Sequence, residues 1–493
     1  MPFARPISIV LLLALFCSLP AGAGLGAQDS GRKQETLAQL ERVIPQLMKD
    51  GEVPGLSIAL VRDGKLVWQR GFGVKSALTN EAVTNDTVFE AASLSKPLFA
   101  YAVLRMVDRG LIDLDAPLTK YLPGPYVEGD ARLNQITARM VLSHRTGFPN
   151  WRARGGPLKI HFTPGERFSY SGEGFVYLQK VLEHLTGQPL DALMRKLVFE
   201  PLRMTSSSYV WQERFERLKA TGHDGAGNVT ELRKPAEANA AASLHTTAGD
   251  YARFMIAMMK GTELKSETLR QMLSPQVKVD EVGANSIARR TGNLSPSISW
   301  GLGWGLEQTG DRRAFWHWGK NNDDVQCFTI SFARERTGLV VFTNSGNGLS
   351  IIPEIVERAL GGPAHPAFAW TNTEPYDSPA RLLLKAILTE GAEAALKRYQ
   401  DERRARPDAA LSEARMNALG YNLLQRKRVR EAIEVFKLNV SDHSESANVY
   451  DSLGEAYMMS GERELAVRNY RRSVELNPDN ANAVEMLKKL QSQ

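Results

Sequence analysis

The sequence predicts an α+β domain, an antiparallel sheet drawn from both of its ends with flanking helices and a helical subdomain between, followed by an all-α repeat domain. Three observations carry this. LSIALVRDGKLVWQRGFG, near the start, reads as a hairpin turning at Asp63-Gly64. CFTISFARERTGLVVFTN, residues 327–344, reads as two more β-rich runs joined by a charged turn ending at Gly338. Between these ends, YAVLRMVDRGLIDL, ARMVLSHRTGF, GFVYLQKVLEHLTG and YARFMIAMMKG have helical periodicity. At 493 residues the chain exceeds what one hydrophobic core serves.

Taken in order, the first segment reads as a targeting signal. Arg5 supplies a positive n-region, Ile9 to Leu19 a short apolar core, and AGAGLGA offers cleavage after Ala23 or Ala27, so residues 1–27 are expected to leave an exported, periplasmic or secreted protein. The apolar run is too short for a transmembrane span. Cys17 leaves lipid attachment open. Cleavage leaves Cys327 alone, which excludes an internal disulfide and a cysteine-based metal site. The first domain is expected over 28–360, a linker rich in proline and glycine over 361–380, and helices over 381–493.

Those helices repeat. Leu419 and Leu453, Gly420 and Gly454, Ala432 and Ala466, and Phe436 and Tyr470 are each 34 residues apart. The period, with Pro478 closing the last unit, resembles the tetratricopeptide repeat. Ala395, Tyr399 and Pro407 repeat the spacing of Ala466, Tyr470 and Pro478 and mark a degenerate unit ahead of these two. Three helix pairs bury a continuous core that one cannot, and their concave face suits a protein partner rather than a small molecule.

Composition excludes other classes. The net charge of +6 comes from 61 basic and 55 acidic residues, interspersed, with no basic tract interleaved with aromatics, so no nucleic-acid partner is expected. The absence of HExxH, of a histidine-rich cluster and of a glycine-rich phosphate loop predicts no metal and no cofactor.

The chemistry centres on FEAASLSKPLFAYAVLRMV, residues 89–107, with Ser93 and Lys96 three apart where a strand-like run becomes a helix. Serine attack needs a base, and lysine serves only when burial and positive potential lower its pKa from about 10.4. On a helix starting near Ser93, Lys96 lies one turn along on the same side. The positive helix end disfavours the lysine cation and steadies the serine oxygen.

These residues, with VPGLSIALVRDGKLVWQRGFG, ITARMVLSHRTGFPNW, TPGERFSYSGEGFVYLQKVLEHLTG, FEPLRMTSSSYVW and SLHTTAGDYARF in that order, resemble the serine β-lactamase and penicillin-binding-protein superfamily, in its class C-like branch of carboxypeptidases, aminopeptidases and esterases. The resemblance runs from about residue 35 to 360. It implies Ser93 as nucleophile, Lys96 as its base and Tyr170, in Tyr170-Ser171-Gly172, as the proton relay. Gly172 stands where the family commonly has an asparagine that holds an amide of the substrate, which favours esters or another substrate grip. His317-Trp318-Gly319 resembles the third motif in its H-x-G form. The N–H of Lys320 then joins that of Ser93 as the oxyanion hole, and His317 orients the tyrosine or a substrate carboxylate, cationic only when protonated. Gly319 lets substrate approach a strand edge. Trp318, with Trp316 and Trp304, is read either as cleft wall or as packing. His144 is read as scaffold, and Asp323 and Asp324 as exposed loop carboxylates.

The reading is an exported serine hydrolase that forms an acyl-enzyme from a small-molecule or peptide substrate with a scissile ester, D-amino-acid peptide or β-lactam bond. The alternative is a catalytically retired scaffold that recruits protein partners through its repeats.

Overall fold

The computed structural model describes residues 23–279, 283, 287, 297–362 and 365–491. Arg5, Cys17 and the apolar run of the leader lie outside these residues, while Ala23 and Ala27 fall in a helix, α1 (Ala23–Asp50). Next, β1 (Gly55–Arg62) and β2 (Lys65–Gly73) form the hairpin. Asp63 and Gly64 both take positive φ, 53° and 68°, the turn whose twist matches its strands.

A tight pair, β3 (Phe89–Glu90) with β4 (His245–Thr246), brackets the helical region. Between them lie α2 (Ser95–Asp108), α3 (Ala138–Leu142), α4 (Gly172–Thr186) and α5 (Leu190–Met194), and α6 (Ala248–Lys260) and α7 (Ser266–Met272) follow β4. ARMVLSHRTGF is helical only as far as Leu142, because His144 turns the chain at a φ of 55°.

The remaining strands are β5 (Val277–Lys278), β6 (Ile298–Trp300), β7 (Gly305–Thr309), β8 (Arg312–Asn321), β9 (Val325–Phe332) and β10 (Thr337–Thr343). The sheet runs β2-β1-β10-β9-β8-β7-β6-β5 with every neighbour antiparallel, so both ends of this region do meet in one sheet. The β9–β10 turn ends before Thr337, and Gly338 lies inside β10, where a side chain would strike Ser331 and the Ile330 carbonyl. Alternation sorts the strands between two cores. Leu56, Ile58 and Leu60 of β1 pack with Leu40 and Ile44 of α1 and with Ile355 of α8 (Ile352–Leu360), whereas Ala59 and Val61 join α2 and α6 on the other face.

Residues 361–380 depart from a simple linker. They contain α9 (Pro366–Thr371), whose Trp370 is fully buried in the core beneath the sheet. Glu307 of β7 anchors it, 2.5 Å from His365 Nδ1 and accepting the Ala367 N–H at 3.0 Å. A six-residue helix between prolines is too short to display periodicity.

Beyond it come three antiparallel pairs, α10 (Pro379–Glu390) with α11 (Ala392–Ala405), α12 (Glu413–Gln425) with α13 (Val429–Asp442) and α14 (Ala447–Ser460) with α15 (Arg463–Leu476), closed by α16 (Ala481–Gln491). The equivalent residues Ala395, Ala432 and Ala466, and Tyr399, Phe436 and Tyr470, are all buried. A Cβ on Gly420 would lie 2.4 Å from the Phe436 ring and one on Gly454 3.1 Å from the Tyr470 ring, so in the second and third pairs a glycine makes room for the aromatic. The repeats touch the first unit through Arg426 on Glu52, at 2.6 Å, and Arg381 on Asn347, at 2.8 Å. Among the described residues no helix is long and apolar enough to cross a membrane.

Candidate active site

Ser93 sits in a 3-10 turn, Ala92–Leu94, immediately ahead of α2 rather than in the helix itself. Ala92 adopts a φ of 46°, costly for a residue with a side chain. The strain leaves Ser93 half-exposed while its neighbours are buried. Tertiary contacts hold the turn: Ala91 N–H donates to Leu244 at 2.8 Å, Ser95 Oγ donates to the Ala92 carbonyl at 2.5 Å, and the Tyr209 hydroxyl donates to the Ser95 carbonyl at 2.6 Å.

Lys96, in the first turn of α2, is fully buried. Its Nζ lies 2.9 Å from Ser93 Oγ and donates to the Ala241 carbonyl at 2.8 Å. Burial pushes its pKa well below the usual lysine value, which favours the neutral amine. Gln179 of α4 sets the turn that carries Ala241 by donating to the Ala238 carbonyl and accepting the Ala240 N–H, both at 2.8 Å.

Tyr170 closes the chamber. Its ring centroid is 4.8 Å from Lys96 Nζ, and its hydroxyl interacts with Ser93. Burial raises the phenol well above its ordinary value, so it stays protonated and suits proton relay rather than initial proton abstraction. His144, expected as scaffold, grips Tyr170 on both sides: its carbonyl accepts the Ser169 N–H at 2.8 Å and its Nδ1 the Ser171 N–H at 3.0 Å, while its ring stacks on the tyrosine at 4.3 Å. Burial keeps His144 neutral, with its pKa well below the histidine range.

His317 lies on β8, its ring centroid 6.1 Å from that of Tyr170. Its Nδ1 donates to the Trp318 carbonyl at 2.7 Å and its Nε2 has no partner. Burial, reinforced by Lys96, lowers its pKa to about 3, so at neutral pH it offers no cation to a carboxylate. β7 stops pairing with β8 at Trp316, and residues 317–321 pair with β9 alone, leaving a strand edge beside the Ser93 turn. Gly319 makes the approach feasible: a Cβ there would sit 2.6 Å from the Ala91 carbonyl and 2.5 Å from Cys327 Sγ. Lys320 follows on the same edge, its side chain turned to Asp323 at 2.5 Å.

Of the three tryptophans, Trp304 and Trp316 are fully buried packing groups, whereas Trp318, 8% exposed, lies against Tyr170 at 4.7 Å and Trp370 at 4.5 Å and also lines a small cavity with Lys320. Trp370 thus backs the site from the segment expected to be a linker. Asp323 is an exposed carboxylate, but Asp324 is not. It is buried, paired bidentately with Arg233 at 2.7 and 2.8 Å, and Arg233 also holds the buried Glu90. No local pattern announced this, because Arg233 lies 91 residues away.

Gly172 opens α4, with Asn150 capping it: the Gly172 N–H reaches the Asn150 side-chain and main-chain oxygens, each at 3.0 Å. Among the described residues no cluster of potential metal ligands occurs.

Comparison with known proteins accords with this geometry. A family model described as Beta-lactamase matches residues 40–352, and one described as Tetratricopeptide repeat matches 447–480. Protein flp of Staphylococcus aureus (strain N315) is 24% identical over 344 residues, 65% of this chain and 65% of that protein, so the chain spans somewhat under two thirds of the length of this curated relative. Esterase EstB of Burkholderia gladioli is 29% identical over 227 residues, 40% of this chain and 57% of that protein. Two solved structures share the fold. The octameric penicillin-binding protein homologue from Pyrococcus abyssi has a TM-score of 0.57 and 21% identity over 71% of this chain and 82% of its own. The D-alanine carboxypeptidase AmpC from Burkholderia cenocepacia has a TM-score of 0.55 and 20% identity over 66% and 99%.

Proposed function

The chain belongs to the Beta-lactamase family, and from that premise we propose that it is an exported serine hydrolase acting through an acyl-enzyme, with esters as its principal substrates. The observation that carries this is the 2.9 Å contact between Ser93 Oγ and the Nζ of a lysine whose cation burial disfavours. Neutral Lys96 takes the Ser93 proton as Oγ attacks the carbonyl carbon. The resulting oxyanion is held by the N–H groups of Ser93 and Lys320, a pair of donors of which either is worth on the order of a hundredfold in rate. The lysine proton passes through Tyr170 to the departing alkoxide, and water then reverses the sequence to free the acid.

Ester over amide is supported by Gly172, which offers no side-chain amide to hold a peptide, and by the likeness to an esterase. Export rests on the leader of residues 1–27. The retired-scaffold reading is less supported, since Ser93, Lys96 and Tyr170 retain a mutual geometry that a scaffold does not need. The test is intact mass after exposure to a fluorophosphonate and, separately, to a penicillin, with Ser93→Ala alongside. One Ser93-dependent fluorophosphonate adduct is expected; its absence overturns the proposal, and penicillin labelling moves the substrate towards β-lactams or D-alanyl peptides.

A further inference from the structure

Trp151 has a position that the proposed chemistry leaves unused. It is 47% exposed, among the larger hydrophobic groups left open to water. Yet it does not hang free. Asn150 before it caps α4, its main-chain carbonyl accepting the N–H groups of Gly172 at 3.0 Å and Glu173 at 3.1 Å. Arg152 after it is tied to the buried carboxylate of Glu173 by its own N–H at 3.0 Å and by two guanidinium contacts at 2.9 and 2.7 Å. The chain on both sides of the indole is therefore tied to the first turn of one helix.

That clamp lays the ring over Gly172. A Cβ built there would fall 2.7 Å from both Cζ2 and Cη2 of Trp151, so the indole occupies the room a side chain at 172 would need. The direction matters. Gly172, Phe175 and Gln179 lie three and seven residues apart on one face of α4. On that face, Lys96 Nζ is 5.7 Å from the Phe175 ring centroid, and Gln179 holds the turn whose Ala241 accepts from Lys96. Gly172 tops the face that looks onto the reacting serine, two residues past Tyr170. A rigid aromatic surface, half in water, stands there in place of a hydrogen-bonding side chain.

We propose that Trp151 is a specificity-determining residue, a stacking platform that selects esters carrying a flat aromatic group beside the scissile bond. The inference rests on the serine-hydrolase reading above. An aromatic substituent gains the remaining exposed ring face at little entropic cost, because the clamp has already ordered the indole.

The test follows acid release from ethyl acetate, ethyl phenylacetate and benzyl acetate, esters without a chromogenic leaving group that could itself stack, by wild type, Ser93→Ala, Trp151→Ala and Trp151→Phe. For wild type, kcat/KM should be higher for at least one aromatic ester than for ethyl acetate. In Trp151→Ala that ratio should fall about tenfold, and in Trp151→Phe by less than about threefold. Which ester loses most tells whether the acyl or the alcohol part stacks. Unchanged ratios for both aromatic esters in Trp151→Ala, with Ser93-dependent turnover intact, overturn this inference alone. Absence of Ser93-dependent turnover in wild type overturns the parent reading and this one with it. Should Trp151→Ala lose its melting transition, Trp151→Leu, which keeps apolar bulk without a ring face, reads the same ratio.

Discussion

The repeats and the chamber around Ser93 and Lys96 solve burial in opposite ways. In the repeats, glycines stand where aromatic rings arrive: Gly420 against Phe436 in one unit and Gly454 against Tyr470 in the next, both rings buried. In the chamber, four of the rings around Tyr170 carry a buried nitrogen with no partner among the described residues, namely Nε2 of His144 and His317 and Nε1 of Trp300 and Trp370. The backbone just ahead of Ser93 is strained at Ala92. Regular packing maximises stability, whereas a chamber that must keep lysine neutral and dry accepts unsatisfied groups and strain. The same contrast orders what should happen when each is perturbed.

The largest effects belong to the chamber. Lys96→Ala should lower kcat by about a thousandfold, with Tyr170→Phe next at about a hundredfold, in steady-state ester hydrolysis. Neither should move the melting of the repeats, and a matching loss of helix there would break the distinction between the two regions. Gly319→Ala should also cost about a hundredfold or more in kcat, because its methyl would push β8 away from the Ala91 carbonyl and so displace the Lys320 amide.

Acid should separate the regions next. His317 and His245 are buried with pKa values lowered from 6.5 to about 3. The unfolded chain therefore binds their protons at a pH where the folded one does not. Their contribution is complete above about pH 6.5 and is lost as pH falls towards 3, on the order of 3 kcal/mol per histidine by pH 4. Calorimetry across pH 7 to 4 should show the first unit losing stability more steeply than the repeats, and parallel shifts would contradict the neutral burial of these rings.

Within the repeats the effects are smaller and graded. Gly420→Ala places its methyl 2.4 Å from the Phe436 ring and should cost about 1–3 kcal/mol, while Gly454→Ala, at 3.1 Å from Tyr470, should cost less. Equal losses in urea titration would mean that the units do not differ in fit. Smallest of all, Lys437→Ala, which removes an exposed pair with Glu434, should change stability by less than about 0.5 kcal/mol.

Much of this contrast was legible before folding. The 34-residue period shows because each helix pair repeats the same local demands, and the hairpin at Asp63-Gly64 shows because that turn needs positive φ at both residues. Ser93 and Lys96 were legible because three residues at the head of a helix bring side chains together without help from distant chain. Trp151 was not, since nothing near it in sequence points to Gly172, 21 residues on.

The sequence by itself thus determined the two architectures, the order of the motifs and the identity of the serine and lysine, all set by spacing and backbone preference. Tertiary structure alone decided that Trp370 of the expected linker backs the site, that Asp324 is buried on Arg233 rather than exposed, that His144 grips Tyr170, and that Lys96 and His317 are driven towards their neutral forms. The reason is physical: protonation and burial depend on which groups displace water from a side chain, and here those groups come from chain segments tens to hundreds of residues away.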